Sequence, residues 1–303
     1  MQHNWPLLLV TFLLPLLVGF NIQASPTVQK QTTPIRIVSL VPSITETLFA
    51  LQSSSQLVGV SNYCDYPPAS QSITKVGRGL NPNLETILKL APDLVVLSPS
   101  GQKTINQLEQ LGITTLAIKS QTLDDIRLSI KLIGQATGRQ PESALLLAHF
   151  DTQINMIEKK VAGQPRPRVM ISMGHSAGNN DFQQFYIAGQ QDFYNDLIKL
   201  AGGINVYQKS IPKVPLISLE GLFHLNPEVI IDVFPEADDH TASIKQVRQQ
   251  WTELKHISAI KTERLHIIEA DYATIPGPRI IKLLTRFAKI IHPNLDWPRD
   301  TTY

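Results

Sequence analysis

The stretch Leu84-Glu85-Thr86-Ile87-Leu88-Lys89-Leu90-Ala91-Pro92-Asp93-Leu94-Val95-Val96 has a counterpart in Leu219-Glu220-Gly221-Leu222-Phe223-His224-Leu225-Asn226-Pro227-Glu228-Val229-Ile230-Ile231. Leu, Glu, a second Leu and Pro recur at one fixed offset, and an acid follows each Pro. Each copy reads as a short helix, a turn at Pro and a buried apolar strand. Two copies of one helix-turn-strand unit, far apart in the chain, predict two similar lobes, and two copies are too few for a solenoid.

The surroundings of each copy agree. Upstream of the first, Arg36-Ile37-Val38-Ser39-Leu40 reads as a buried strand and Leu57-Val58-Gly59-Val60 as a second. Between them Ser43 and Glu46 have the spacing of a capping box for a helix over 45–51. Pro82 stands where a helix would place it at its first position, and Leu84, Ile87, Leu88 and Leu90 give that helix an apolar face. A strand over 94–97, a helix over 102–111 and a strand over 114–118 follow. The second half restarts with Arg168-Val169-Met170-Ile171-Ser172, a helix over 196–201, and Gly202-Gly203-Ile204-Asn205-Val206, which resembles the earlier 57–60 passage. Short strands alternating with helices argue for parallel sheets covered on both faces. The fold class is α/β, with two Rossmann-like lobes.

Residues 141–161 read differently. Pro141 stands at a helix start, Gly163 just past the end, and neither Gly nor Pro interrupts the interval. Roughly 20 helical residues reach about 30 Å, the width of a small domain. A single long helix joining two lobes is the reading, with lobes over 26–139 and 164–303 and the linking helix over 140–163. A ligand cleft is expected between the lobes.

Composition bounds the function. The chain has 303 residues, 17% of them charged, and a net charge of +2. That balance, without a run of Lys or Arg, argues against nucleic acid as a partner. The apolar run over 7–20 is short for a bilayer-spanning helix, which needs roughly 20 residues. It fits the core of a signal peptide over 1–25, with Ala24 and Ser25 at the cleavage point. Cys64 is the only cysteine. It permits no internal disulfide, and no Cys follows the apolar run to carry a lipid. Export to a periplasm, without an anchor and as a monomer, is the expectation. None of the eight histidines falls in an H-x-x-x-H spacing, so no metal site is expected.

Three groups of residues remain as sites. Glu85 and Glu220 occupy the first turns of the repeated helices, where an acid favours the helix dipole. One per lobe, they could also meet cations on a two-fold partner. Tyr63-Cys64-Asp65-Tyr66 and Asp271-Tyr272-Ala273-Thr274-Ile275 each follow a strand, where open α/β sheets place ligands. Gly174-His175-Ser176-Ala177-Gly178 matches the G-x-S-x-G elbow of hydrolases and leaves Ser176 as a candidate nucleophile. An elbow runs straight into a helix, however, and Asn179-Asn180-Asp181 read as a turn.

These strings carry a resemblance. Residues 36–46, Gly59 to Pro68, Leu80-Asn81-Pro82-Asn83-Leu84-Glu85, Ala201 to Val206 and Pro276-Gly277-Pro278-Arg279-Ile280 resemble periplasmic binding proteins for cobalamin and their siderophore and haem relatives. The resemblance runs from about Arg36 to Pro293. It implies two lobes bridged by one long helix, and a bulky corrinoid in the cleft. Tyr63 would contact it on one side, and Asp271, Tyr272, Ala273, Thr274 and Ile275 would line the other. Glu85 and Glu220 would form salt bridges with arginines of an ABC permease, itself coupled to an ATPase. No catalysis and no cofactor besides the cargo are implied. The tryptophans of better-known cobalamin binders match Gly79, Val214 and Tyr272 here, and the disulfide of their second lobe is absent.

Overall fold

A computed structural model describes Met1 and residues 36–175, 182–235 and 244–298. The signal-peptide reading of 1–25 and the Ser176 candidate lie outside the described residues. All elements below belong to the compact unit Thr33–Tyr303.

The first lobe runs β1 (Ile37–Ser39), α1 (Pro42–Ala50), β2 (Leu57–Val60), β3 (Gly77–Arg78), β4 (Asn81–Pro82), α2 (Leu84–Lys89), β5 (Leu94–Leu97), α3 (Gln102–Gln110), β6 (Thr115–Ala117) and α4 (Leu123–Thr137). Helix α5 (Gln140–Val161) follows. The second lobe runs β7 (Arg168–His175), β8 (Gln184–Ile187), α6 (Phe193–Leu200), β9 (Ile204–Asn205), β10 (Leu216–Ser218), α7 (Leu219–Leu225), β11 (Val229–Phe234), α8 (Ile244–Glu253), α9 (Ser258–Lys261), β12 (Leu265–Glu269) and α10 (Ile280–Ile291).

The first sheet is parallel in the order β2-β1-β5-β6. The second repeats it as β9-β7-β11-β12, also parallel, with β8 added antiparallel to β7 and β10 antiparallel to β8. The two lobes are thus one topology used twice, as the repeat predicted. Buried on both faces, β5 and β11 show near-continuous apolar runs, as parallel strands do.

The repeat is also exact in its hydrogen bonds. Asn83 and Ser218 cap α2 and α7, their side-chain oxygens accepting from the Thr86 and Gly221 N–H groups. Each helix then turns through a non-glycine residue of positive φ, Ala91 at 43° and Asn226 at 39°. Arg36 donates from its guanidinium to the Leu90 and Ala91 carbonyls, and Arg168 donates to the Leu225 carbonyl. These satisfy last-turn acceptors that have no partner in the helix. Asp93 and Glu228, the acids after each Pro, accept from the Arg36 and Arg168 N–H at 3.0 and 2.7 Å. The repeated acid is therefore a clasp between the first and third strands of each lobe.

Some local expectations need correction. Helix α1 begins at Pro42 with Val41 as its cap, so Ser43 and Glu46 form no capping box. Glu46 is buried and bonded elsewhere. Pro82 lies in β4, one residue before the true cap Asn83. Leu88 points outward, 44% exposed, because a short helix buries only the stripe through Ile87. Helix α6 starts at Phe193, because Asp192 accepts from the Tyr194 N–H and caps it there. Helix α4 is an element the sequence reading passed over; Thr122 and Asp125 form a full capping box at its start.

Helix α5 spans 22 residues, about 33 Å at 1.5 Å per residue. Its buried stripe is Ser143, Phe150, Ile157 and Val161, on one face. It packs on α4 of the first lobe and on α6 and α10 of the second. Gly134 lets α4 and α5 meet, since a Cβ there would lie 2.6 Å from Ser143 Cβ. One continuous core runs from Ile37 and Ile126 through Phe150 to Leu197 and Phe287. One face of the linking helix is buried, and it contacts both lobes.

Ala91→Gly should stabilise the protein by roughly 0.5–1 kcal/mol, because glycine takes positive φ without the Cβ clash. Asn226→Gly should give no gain, because Asn226 Oδ1 accepts from the Ser258 N–H at 2.8 Å. Urea midpoints of the two variants check both halves of this expectation.

Candidate functional site

The two Tyr- and Asp-bearing segments leave the C-terminal ends of their sheets, β2 and β12. In open α/β sheets that is where ligands bind.

The first segment is pinned by Cys64. The thiol is fully buried, 3.1 Å from Ser61 Oγ, and burial raises its pKa above the ordinary thiol value. It is an anchor, not a reactive group. The Cys64 carbonyl accepts from Ser70 Oγ at 2.9 Å and Lys75 Nζ at 2.8 Å, and Lys75 also pairs with Asp65 at 3.2 Å. With the thiol inward, Tyr63 and Tyr66 are turned out, 57% and 42% exposed. Two large aromatic side chains held outward offer a flat apolar surface.

The second segment is a tight 3-10 turn over Asp271–Ala273. Its members differ sharply in availability. Ala273 is fully buried, and its carbonyl accepts from Tyr194 Oη at 2.6 Å. Burial holds the Tyr194 phenol neutral, its pKa far above the usual range. Tyr272 is buried, and its hydroxyl accepts from Arg286 Nη1 at 3.0 Å. Asp271, Thr274 and Ile275 keep part of their surface in solvent. Asp271, Thr274 and Ile275 are thus the members of this segment whose side chains keep solvent-facing surface, while Tyr272 and Ala273 turn into the core.

The walls meet through a residue that sequence reading noted only as part of a family string. The Arg279 guanidinium lies 3.7 Å from the Tyr66 ring centroid. It donates to Glu46 of α1 and to both oxygens of Asp271. A second seam runs between α4 and α6. There Asp196 accepts from the Leu123 N–H at 2.9 Å, and Lys213 donates to Gln121 across the same boundary.

Gly79 and Val214 stand beside these walls in the resemblance. A Cβ on Gly79 would lie 2.3 Å from the Leu40 carbonyl oxygen. No side chain fits there without moving backbone, so the tryptophan that the resemblance matches to this position has no room. Leu80, next to it, is 67% exposed, and Val214 is 45% exposed.

Glu85 and Glu220 both stand in the first turns of equivalent helices and are exposed. Glu85 pairs with Lys89 at 2.7 Å, one turn on. At the step equivalent to Lys89 the second lobe carries His224. The two carboxylates thus share a backbone frame but differ in local charge.

A groove of about 770 Å³ lies elsewhere, lined by Arg166, Glu228, Arg264, His266 and His292 among others. It sits at the N-terminal ends of β7, β11 and β12, opposite the Tyr and Asp segments. Its arginines are committed to backbone carbonyls of Gly203, Ile290 and Ile291. Among the described residues, no group of three His, Cys, Asp or Glu could hold a metal ion, and no helix is long and apolar enough to cross a membrane.

A family model described as "Periplasmic binding protein" matches residues 37–272. A Bacillus subtilis ABC transporter substrate-binding lipoprotein, YvrC, is 28% identical over 276 residues, covering 88% of this chain and 82% of its own. A vitamin B12-binding protein of Vibrio cholerae is 27% identical over 256 residues, covering 81% and 85%. A periplasmic heme-binding protein of Pseudomonas aeruginosa superposes with a TM-score of 0.73 at 22% identity, covering 87% of this chain and 94% of that one. The last shows the two-lobed fold alone.

Asp192, buried beside the α4–α6 seam, gives a prediction. Burial pushes its pKa up to about 6, Asp196 adds to the rise, and the Tyr194 N–H and Lys213 oppose it. A carboxyl raised in the folded state is stabilising when neutral, and that contribution is lost as pH climbs through 6. Asp192→Asn keeps the cap and should stabilise by about 1–3 kcal/mol at pH 8 but not at pH 4. Thermal melts at the two pH values measure it.

Proposed function

The chain belongs to the periplasmic binding protein family, the solute-binding proteins of ABC importers, and we propose that its cargo is cobalamin or a related corrinoid, caught in the periplasm and handed to a membrane permease. The family is one of binders and not of enzymes, and in this reading no bond is made or broken.

One observation carries the choice of cleft. The outward Tyr63 and Tyr66 of the first lobe and the Asp271 turn of the second converge at the strand ends of two like sheets, tied by Arg279. A large planar metal-chelate ligand needs broad apolar contact and a few fixed polar groups. Exposed aromatic faces supply the first, and Asp271, Thr274 and backbone groups of the turn supply the second. The B12-binding relative from Vibrio cholerae supports a corrinoid in that space. Gly79, closed to any side chain, removes one stacking surface and leaves haem or a ferric siderophore as the second reading.

The remaining parts of the reading follow. In this reading residues 1–25 are a cleaved signal peptide, and the mature protein acts as a monomer in the periplasm. Its lobes are 26–139 and 164–303, linked by 140–163. Glu85 and Glu220 dock on permease arginines, held at matching places by the Asn83 and Ser218 caps and the Arg36 and Arg168 clasps.

Isothermal titration with cyanocobalamin should give one site with a Kd of about a micromolar or tighter. Absence of heat with cyanocobalamin, together with saturable binding of haemin or a ferric siderophore, would replace the cargo. Separately, the double change Glu85→Lys and Glu220→Lys should leave that affinity unchanged and abolish uptake in a reconstituted importer. Uptake at the unaltered rate would remove the two glutamates from docking.

A further inference from the structure

We infer that Arg279 is the positioning residue of the cleft: one guanidinium fixes the spacing of the two walls and the facing of Tyr66 and Asp271. This rests on reading the cleft as the ligand site.

Four contacts converge on this side chain. Its Nε donates to Glu46 Oε2 at 2.9 Å, and Nη2 donates to Glu46 Oε1. Nη1 and Nη2 donate to Asp271 Oδ1 and Oδ2, each at 2.9 Å. Glu46 lies on α1 of the first lobe, 233 residues away in sequence, and Asp271 on the turn of the second. The planar fork of arginine satisfies two carboxylates at once, which a lysine ammonium cannot do with fixed geometry. The guanidinium face covers the Tyr66 ring at 3.7 Å and leaves the ring partly exposed. The backbone agrees: a Cβ on Gly277 would lie 3.3 Å from Ser43 Cα, so the Pro-Gly-Pro segment rests directly on α1.

Burial makes the tie directional. The Glu46 side chain is 3% exposed, Arg279 16% and Asp271 35%. Burial lowers the affinity of the guanidinium for its proton, and the two carboxylates outweigh that, so Arg279 stays charged well beyond ordinary pH. A buried charge stripped of its partner is strongly destabilised. Glu46 is therefore the permanent arm. Asp271 is the arm that solvent and a ligand reach, and a ligand donor meeting Asp271 would still find it held in place by Arg279. The tie acts on recognition through Tyr66 and Asp271, without Arg279 itself having to touch cargo.

The test measures wall spacing without any ligand. Spin labels at Leu111→Cys and Glu263→Cys, one per lobe, would report the interlobe distance by pulsed dipolar spectroscopy, with the buried Cys64 left in place. Arg279→Gln should shift or broaden the distance distribution by roughly 2 Å or more, and Glu46→Gln should do the same. The double variant should add little, because both changes cut one tie. Cyanocobalamin affinity should fall on the order of tenfold in Arg279→Gln. Should Arg279→Gln not fold, Arg279→Lys keeps the charge, loses the fork and carries the same measurement with a smaller shift. A folded Arg279 variant with the unaltered distance distribution overturns the inference, whatever its affinity. An unaltered protein that ignores cyanocobalamin overturns the corrinoid reading alone, and the distance measurement still decides the role of Arg279.

Discussion

The structure depends on a single hydrophobic core that both sheets share. Two sheets of the same strand order could have formed two independent bodies on a flexible linker. Here Phe150, Ile157 and Val161 of α5 enter the same apolar cluster as Ile126 and Ile133 of α4 and Leu197 and Phe287 of the second lobe. Moving one lobe far from the other would uncover this surface, at roughly 25 cal/mol for each Å² of apolar area. The link is therefore stiffened by the one face it packs into the shared core. Interlobe motion is limited to what the core tolerates. Arg279 and the Asp196–Leu123 contact are finer adjustments on that frame.

The repeat acts on the same frame. Arg36 with Asp93, and Arg168 with Glu228, tie first strand to third strand in each lobe and satisfy the ends of α2 and α7. The acid after each Pro is thus explained by folding alone. The glutamates in the first turns favour the helix dipoles, and Glu85 pairs with Lys89, but the caps are supplied by Asn83 and Ser218. That division leaves Glu85 and Glu220 available for a partner while the helices beneath them are fixed.

Much of the fold was legible in the sequence because its signals are local. Apolar runs marked β1, β2, β5, β7 and β11, and the uninterrupted interval after Pro141 marked α5. What was missed depended on long-range contacts. Glu46 read as a capping acid, since a Glu three residues after a Ser fits that pattern, yet its partner Arg279 lies in another lobe. Helix α4 carries a full capping box at Thr122 and Asp125, a local signal in the sequence that marks its start. At the site, the sequence placed Tyr63 and the Asp271 turn at strand ends. It could not separate the inward Tyr272 and Ala273 from the outward Thr274 and Ile275, because a 3-10 turn has no simple alternation to read. The role of Cys64 as a pin, and of Gly79 as a position closed to any side chain, were likewise matters of packing.

The identity of the cargo is open to one direct measurement. Native mass spectrometry of the protein, mixed with equal amounts of cyanocobalamin, haemin and a ferric siderophore, lets the three compete for one cleft. The account predicts a one-to-one adduct with cyanocobalamin as the dominant complex. A dominant adduct with haemin or the siderophore, and no corrinoid complex, would contradict it.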